Sequence, residues 1–391
     1  MTVTRAGWLV KVDRRTEEVG KIVSGRRIAQ VLGSSTGGIG THVASVTRGL
    51  LEHGDRVTVF GPAATDAQFG FRAAGARFVP VEIPERTDPV QDLRAVVALR
   101  RSLRGPSGGV PDVVHAHGLR AGLVSRLARI PGVPVVATWH IHLDTSGPGV
   151  RSKLLRQAEK AVARGAKVSL CTDSGQVPHV WASGSTDVRY APVAAPPLPD
   201  PVRDTAAVKA ELDATGRPLV LAVGRLHPVK RLDLLIDAAA GWSDLDPAPV
   251  VAIAGDGPIR AELAARIERT GAPVRLLGHR DDVGDLLGAA DLAVVTSESE
   301  TRQLFAQEVL RVGKPLVATR AGGIPELVGD AAALVDVGDA AALDTTVREL
   351  LGDAERRAVL AAAGPRRAET WPSVADTIDH LDALYRELAG R

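Results

Sequence analysis

Cysteine is nearly absent: Cys171 is the one thiol in 391 residues. A single cysteine excludes an intramolecular disulfide and any multi-cysteine metal site, and beside Val168 and Leu170 it reads as a buried packing residue. Long apolar runs are missing as well. No stretch approaches the ~18–20 consecutive apolar residues that span a bilayer, and the N-terminal residues lack the apolar core of a secretory signal. A cytoplasmic protein is therefore expected. Net charge is almost absent, at +2, which is too mild to announce a nucleic-acid partner. Lysine is scarce, with 8 against 40 arginines, the bias of a GC-rich bacterial genome.

What is present is globular, with 45% hydrophobic and 24% charged residues. The chain exceeds the ~250–300 residues over which one core usually grows, so two domains are expected. Residues 1–25 show no clear period and read as an N-terminal extension. From Arg26 to Ala191 strands and helices alternate, the signature of a doubly wound parallel sheet. The strands include Ile28–Gly33, Arg56–Phe60, Asp112–Ala116, Val133–Thr138 and Ala166–Cys171. Residues 192–201 hold most of a proline-rich run that cannot lie inside a helix or central strand and reads as a stiff linker. Alternation restarts over 202–370, and 371–391 end in a helix. Two such α/β domains leave a cleft where their strand ends face each other, and ligands should bind there.

Loops at the carboxyl ends of strands supply the candidates. Ser34-Ser-Thr-Gly37-Gly38-Ile-Gly40 lets backbone approach a phosphate or sugar, yet it fails as a dinucleotide fingerprint because Val43 stands at the third glycine. His115, His117, His140 and His142 end two neighbouring strands; they suit zinc or, equally, hydrogen bonding to sugar hydroxyls. Arg225 and Lys230, five apart between a strand and a helix, can bring two fixed charges to one diphosphate. Gly255-Asp-Gly-Pro258 and Gly278-His-Arg280 can shape a pocket for a flat base, or serve as plain turns. Glu300 and Glu308 lie eight apart between an apolar strand and a helix. In one continuous helix that spacing would be ~12 Å, so Glu300 is expected in the loop and Glu308 in the helix. On the helix before Pro111, Leu93, Val96, Val97 and Leu103 read as a core-facing stripe, while Arg94, Arg100, Arg101 and Arg104 could instead meet anionic lipid.

In their order along the chain, Gly37-Gly38-Ile-Gly40-Thr-His42, Asp112-Val-Val-His-Ala-His117, Gly224-Arg225-(x)4-Lys230, Gly255-Asp-Gly-Pro258, Ser297 with Glu300-(x)7-Glu308, and Gly322-Gly323-Ile-Pro-Glu326 resemble the family 4 retaining glycosyltransferases of GT-B fold. The resemblance covers most of the chain. It implies two Rossmann-like domains facing across a cleft, a nucleotide-sugar donor held mainly by the second, an acceptor bound mainly by the first, and a last helix crossing back. It implies retaining transfer of a hexose from a nucleoside diphosphate to an acceptor hydroxyl, with no metal or cofactor and attack on the face the leaving group departs. By position, Glu308 would accept the ribose hydroxyls, Glu300 would hold the hexose, and Arg225 and Lys230 would neutralise the diphosphate. His117 would touch the sugar near its reacting carbon, Gly38 and Gly40 would lie by the phosphates, and Gly255 with the backbone at Arg280 would frame the base. The family writes Glu-Gly-Phe-Gly where this chain has Glu300-Thr301-Arg302-Gln303, so either the loop takes another path or Arg302 adds a charge at the phosphates. The acceptor is unknown, its loops being residues 61–75 and 140–150, and peripheral contact would be with the inner face of the membrane. A silent nucleotide-sugar-binding protein and a sugar-nucleotide epimerase of the same fold are the alternatives.

Overall fold

The computed structural model describes residues 25–390 apart from 36, 85–87, 106–108 and 143–146. The first domain runs β1 (Arg27–Leu32), α1 (Gly38–Glu52), β2 (Arg56–Gly61), α2 (Ala63–Phe69), β3 (Arg77–Pro80), α3 (Pro89–Arg104), β4 (Val113–His117), α4 (Gly118–Ala128), β5 (Val135–Trp139), α5 (Val150–Gly165), β6 (Val168–Cys171), α6 (Gln176–Ala182) and β7 (Val188–Tyr190). The second runs α7 (Thr205–Glu211), β8 (Leu219–Val223), α8 (Leu232–Ala239), β9 (Val250–Ala254), α9 (Arg260–Thr270), β10 (Val274–Gly278), α10 (Val283–Ala289), β11 (Leu292–Val295), α11 (Leu304–Arg311), β12 (Leu316–Thr319), α12 (Ile324–Val328), β13 (Ala333–Val335), α13 (Ala340–Gly352) and α14 (Ala354–Ala368). A last helix, α15, spans Val374–Ala389. The residues 1–24 of the expected extension and residues 143–146 of the expected acceptor loop lie outside the described residues.

Both sheets are parallel, ordered β3-β2-β1-β4-β5-β6-β7 and β10-β9-β8-β11-β12-β13. Strands such as Val250–Ala254 and Leu292–Val295 are apolar throughout because helices cover both sheet faces. Chain order reverses between β1 and β4 and between β8 and β11, and it is outside the carboxyl ends of such strands that doubly wound sheets bind ligands. Those ends face each other. Gly38, at the start of α1, has room for a Cβ only 3.4 Å from Leu304 at the start of α11.

The segment after β7 is neither helix nor strand, and its Val193, Ala194 and Ala195 are buried. Gln307 of α11 holds it: its Oε1 accepts from the Ala195 amide (3.0 Å) and its Nε2 donates to the Val193 carbonyl (3.2 Å). From Trp371 the chain returns to the first domain. A reciprocal Ser373/Asp376 capping box starts α15, and Leu381, Leu384 and Tyr385 join the core of Ile28, Val43, Leu50 and Val113. Buried Arg26 clamps Asp55 (2.7 and 2.9 Å) and the Asp382 carbonyl (2.8 Å).

One stripe differs from expectation. On α3, Ala95, Leu99 and Leu103 are buried, whereas Leu93 is 65% and Val97 37% exposed. Leu93 and Val97 fall on the solvent side because Ala95, Leu99 and Leu103, at helical spacing, already form a complete inner stripe. The short α2, α6, α7, α12 and β7 have too few residues to show a period and escape a sequence reading. No helix among the described residues is long and apolar enough to cross a membrane.

Candidate active site

The second domain's contribution begins with backbone. After β8, the turn Pro228–Lys230 hydrogen-bonds to the loop after β11: Thr296 Oγ1 donates to the Lys230 carbonyl (2.8 Å) and the Glu298 amide to the Val229 carbonyl (2.9 Å). This brings Lys230 onto the Glu300 carboxylate as an ion pair, and Ser297 Oγ donates to the same Glu300 oxygen at 2.7 Å. Gly255 has φ +138°, and a Cβ there would stand 1.9 Å from the Gly224 carbonyl. Its glycine is therefore required by the crossing of two loops behind the Arg225 turn.

Glu300 lies in the loop and Glu308 in α11. Burial pushes the Glu308 carboxyl up to about 7, opposed only by Arg311, and its side chain has no hydrogen-bond partner among the described residues. Thr301, Arg302 and Gln303 each commit their side chains elsewhere. Thr301 Oγ1 donates across the domain boundary to the His140 carbonyl (2.8 Å), and Gln303 Oε1 caps α11 by accepting from Ala306 N (2.6 Å). Arg302 corrects its expected place at the phosphates. Its guanidinium, nine-tenths buried, lies 5.7 Å from the Trp371 ring centre, with Tyr190 and Glu326 as the groups that favour its charge. What this loop offers the cleft is backbone: the N–H groups of 301, 302 and 303 have no acceptor among the described residues. Arg280 is likewise committed, to Asp282 (2.6 and 2.7 Å) and Glu211 (2.7 Å), leaving only backbone there to meet a base.

In the first domain, Gly38 faces the cleft but Gly40 does not: a Cβ on Gly40 would strike the Phe69 ring at 2.1 Å. Packing on α2 thus requires a glycine at position 40 whatever the cleft holds. The histidines form a buried chain. Gln30 Nε2 donates to Tyr385 Oη (3.2 Å), so its carboxamide oxygen turns to His117 Nε2 (2.7 Å) and assigns that nitrogen the proton. His117 Nδ1 then accepts from His140 Nε2 (3.1 Å). Tyr385 Oη also meets His115 Nδ1 (2.5 Å), whose Nε2 meets Thr138 Oγ1 (2.6 Å). Burial lowers all these imidazoles and keeps them neutral, His42 at about 4 and His115 at about 3.

His117 thus presents no free ring nitrogen to the cleft in this arrangement. It is 3% exposed and both ring nitrogens are occupied. Among the described residues His140 keeps a ring nitrogen to spare, its Nδ1 having no partner, and so does His42, which makes ring contacts with His117 and His140 but no hydrogen bond. His142 stands apart, its Nε2 2.9 Å from Asp173 Oδ2, and that carboxylate holds it above the usual imidazole range. Ring nitrogens that could share a metal ion belong to His42, His117 and His140, all within 4.8 Å of one another. This set differs from the four histidines grouped by sequence.

Two family descriptions match in tandem: "Glycosyl transferase 4-like domain" over residues 37–197 and "Glycosyl transferases group 1" over 204–367. Among curated proteins, the chain is 32% identical to the 2-deoxystreptamine N-acetyl-D-glucosaminyltransferase of Streptomyces fradiae, over 76% of this chain and 75% of that one. It is 29% identical to the D-inositol 3-phosphate glycosyltransferase of Rhodococcus jostii (strain RHA1), over 92% and 86%. Among solved structures, Anabaena Alr3699/HepE in complex with UDP-glucose superposes with a TM-score of 0.78 at 21% identity, over 93% of this chain and 100% of that one. The lipopolysaccharide glycosyltransferase WaaG gives 0.72 at 16%, over 93% and 100%. The chain belongs to the family 4-like glycosyltransferases and has their two-domain GT-B fold.

Proposed function

We propose that the protein transfers a hexose from UDP-sugar to an acceptor hydroxyl with retention of anomeric configuration and without a metal ion. The observation that carries this reading is one loop–helix unit holding Lys230-paired Glu300 and then, in succession, three amides and a Glu308 carboxylate that have no partner among the described residues. An N-terminal turn with free N–H groups suits a diphosphate, and a carboxylate one turn further suits a ribose diol. Glu300 would accept hexose hydroxyls, and His140 Nδ1, in place of His117, would face the sugar near its reacting carbon. Arg225 and Lys230 would take the charge that grows on the diphosphate as the sugar–oxygen bond breaks, which is the role a metal plays elsewhere. The acceptor oxygen forms the new bond on the same face, and its proton passes to the departing phosphate oxygen. The neighbour solved with UDP-glucose supports the choice of UDP as the carrier. Inositol and 2-deoxystreptamine, named in the two relatives, are both polyhydroxylated six-membered carbocycles and support a cyclitol acceptor.

The test is turnover of UDP-, GDP- and ADP-sugars with a cyclitol panel in EDTA, with the product's anomeric proton coupling read by NMR. UDP release with an unchanged configuration supports the reading. An inverted product, loss of activity in EDTA, or an epimerised sugar from donor alone overturns it.

Membrane contact is part of the proposal through α3. Val90, Leu93 and Val97 are exposed beside Arg94, Arg101 and Arg104 at helical spacing, a face that suits anionic lipid. Co-sedimentation with vesicles of anionic phospholipid, absent with neutral vesicles and weakened by Leu93→Ser, is the expected result.

A further inference from the structure

We infer that Thr301 is a positioning residue that ties Glu300 to His140 across the domain boundary and sets the hexose subsite before the donor arrives. The inference rests on the function proposed above. Thr301 stands where the resembling family has glycine, which can make no side-chain hydrogen bond. Its hydroxyl donates to the His140 carbonyl at 2.8 Å, and Thr301 and His140 are both largely buried. One residue before Thr301 is the carboxylate proposed to hold the hexose; on the far side of the bond is the imidazole proposed to meet the same sugar.

The loop cannot adjust around a lost bond from behind. The Gly323 amide donates to the Glu300 carbonyl (3.0 Å), and Cβ atoms on Gly322 and Gly323 would stand 2.0 Å from the Glu300 carbonyl and 2.1 Å from the Thr301 carbonyl. Further on, Gln303 caps α11 and Arg302 rests over Trp371. On the other domain, the His140 ring is fixed by His117. Both partners are thus rigid within their own domains, and the Thr301 hydroxyl is a direct hydrogen bond between these two reacting-site segments. Remaining cross-domain bonds, such as the Ser174 amide and Tyr190 hydroxyl to Glu326 (3.0 and 2.5 Å), hold the domains together without touching either group. A bond that aligns groups needed only in the transition state affects turnover more than nucleotide binding.

Thr301→Val keeps the shape and removes the donor; Thr301→Ser restores it. With full-length protein, Thr301→Val is expected to lower kcat about tenfold while the Kd for UDP stays within twofold, and Thr301→Ser to recover most of the loss. In ligand-free protein labelled at histidine, Thr301→Val should shift the His140 ring resonance, assigned by its loss in His140→Gln, whereas Thr301→Ser leaves it in place. An unchanged kcat with an unmoved resonance, or a serine variant as impaired as valine, overturns the inference. The resonance needs no turnover, so a wild-type protein inactive on every donor would sink the proposed function and still leave this positioning decided.

Discussion

Lys230→Met is expected to lower kcat by ~10²–10³-fold, the cost of removing one fixed group that stabilises charge developing in a transition state. Methionine keeps the apolar stem, which packs beside Gly224, and removes only the ammonium. In the donor-free protein that ammonium rests on Glu300, with Ser297 on the same oxygen. A diphosphate entering beside the α11 amides offers Lys230 a stronger partner, and Glu300 is then released to accept sugar hydroxyls. Donor binding and the arming of Glu300 are one exchange. It follows that Lys230→Met and Glu300→Gln will not add: the double variant should be little slower than the worse single one, because residues in one charged network share their effect. Steady-state rates with UDP-glucose and a competent acceptor check this. A kcat within threefold of wild type would show that Lys230 does not act on the leaving group, and fully multiplicative losses would show that Lys230 and Glu300 act independently. Unfolding midpoints, read alongside, separate the effect from the destabilisation expected when partly buried Glu300 loses its counter-charge.

The fold was legible because its strands are near-continuous apolar runs at regular spacing with helices between, a pattern that fixes parallel, doubly covered sheets. The loops at the switch points were legible for the same reason, since strand ends locate them. Side-chain direction was not. His115, His117 and His140 sit on neighbouring strands, and only the register β1–β4–β5 shows that Gln30 and His140 enclose His117. Spacing could have warned that residues 115 and 117 share one sheet face, but not that Tyr385, 270 residues further on from His115, closes that face. Arg302 reads toward the phosphates because it stands in the loop where the resembling family has close backbone. Its burial against Trp371 depends on where α14 hands over to α15, a tertiary event with no local signal. Gly40 illustrates the converse: a glycine in a phosphate-like loop can be demanded by a phenylalanine ring instead of a ligand.

Donor affinity should depend on pH through Glu308. Burial raises its carboxyl to about 7 in the donor-free protein, well above the ~4.3 of a free glutamate. Ribose hydroxyls donating to the carboxylate would favour its charged form, so the bound state holds the proton less tightly than the free state. Binding must then release a proton wherever Glu308 begins protonated. The association constant for UDP-glucose is therefore flat above about 7 and falls below it, approaching tenfold for each pH unit. UDP-glucose is the proper probe, because its diphosphate is esterified at both ends and has no second ionisation near 6, as a terminal phosphate has. Glu308→Gln should bind ~10–100-fold more weakly at pH 8, a charged acceptor being worth ~1.5–3 kcal/mol, and should lose the pH dependence. Stability without donor runs the other way. A carboxyl raised by folding takes up a proton in the native state, so its penalty is complete above about 7 and fades as pH falls toward the unfolded value. Calorimetric titration from pH 5.5 to 8.5, beside thermal unfolding of the donor-free protein, measures both slopes. His142 and the remaining titrating groups are common to both proteins, so the difference between wild type and Glu308→Gln isolates this carboxylate, and differences of opposite sign in binding and in stability would identify it as the group that trades its burial for the ribose.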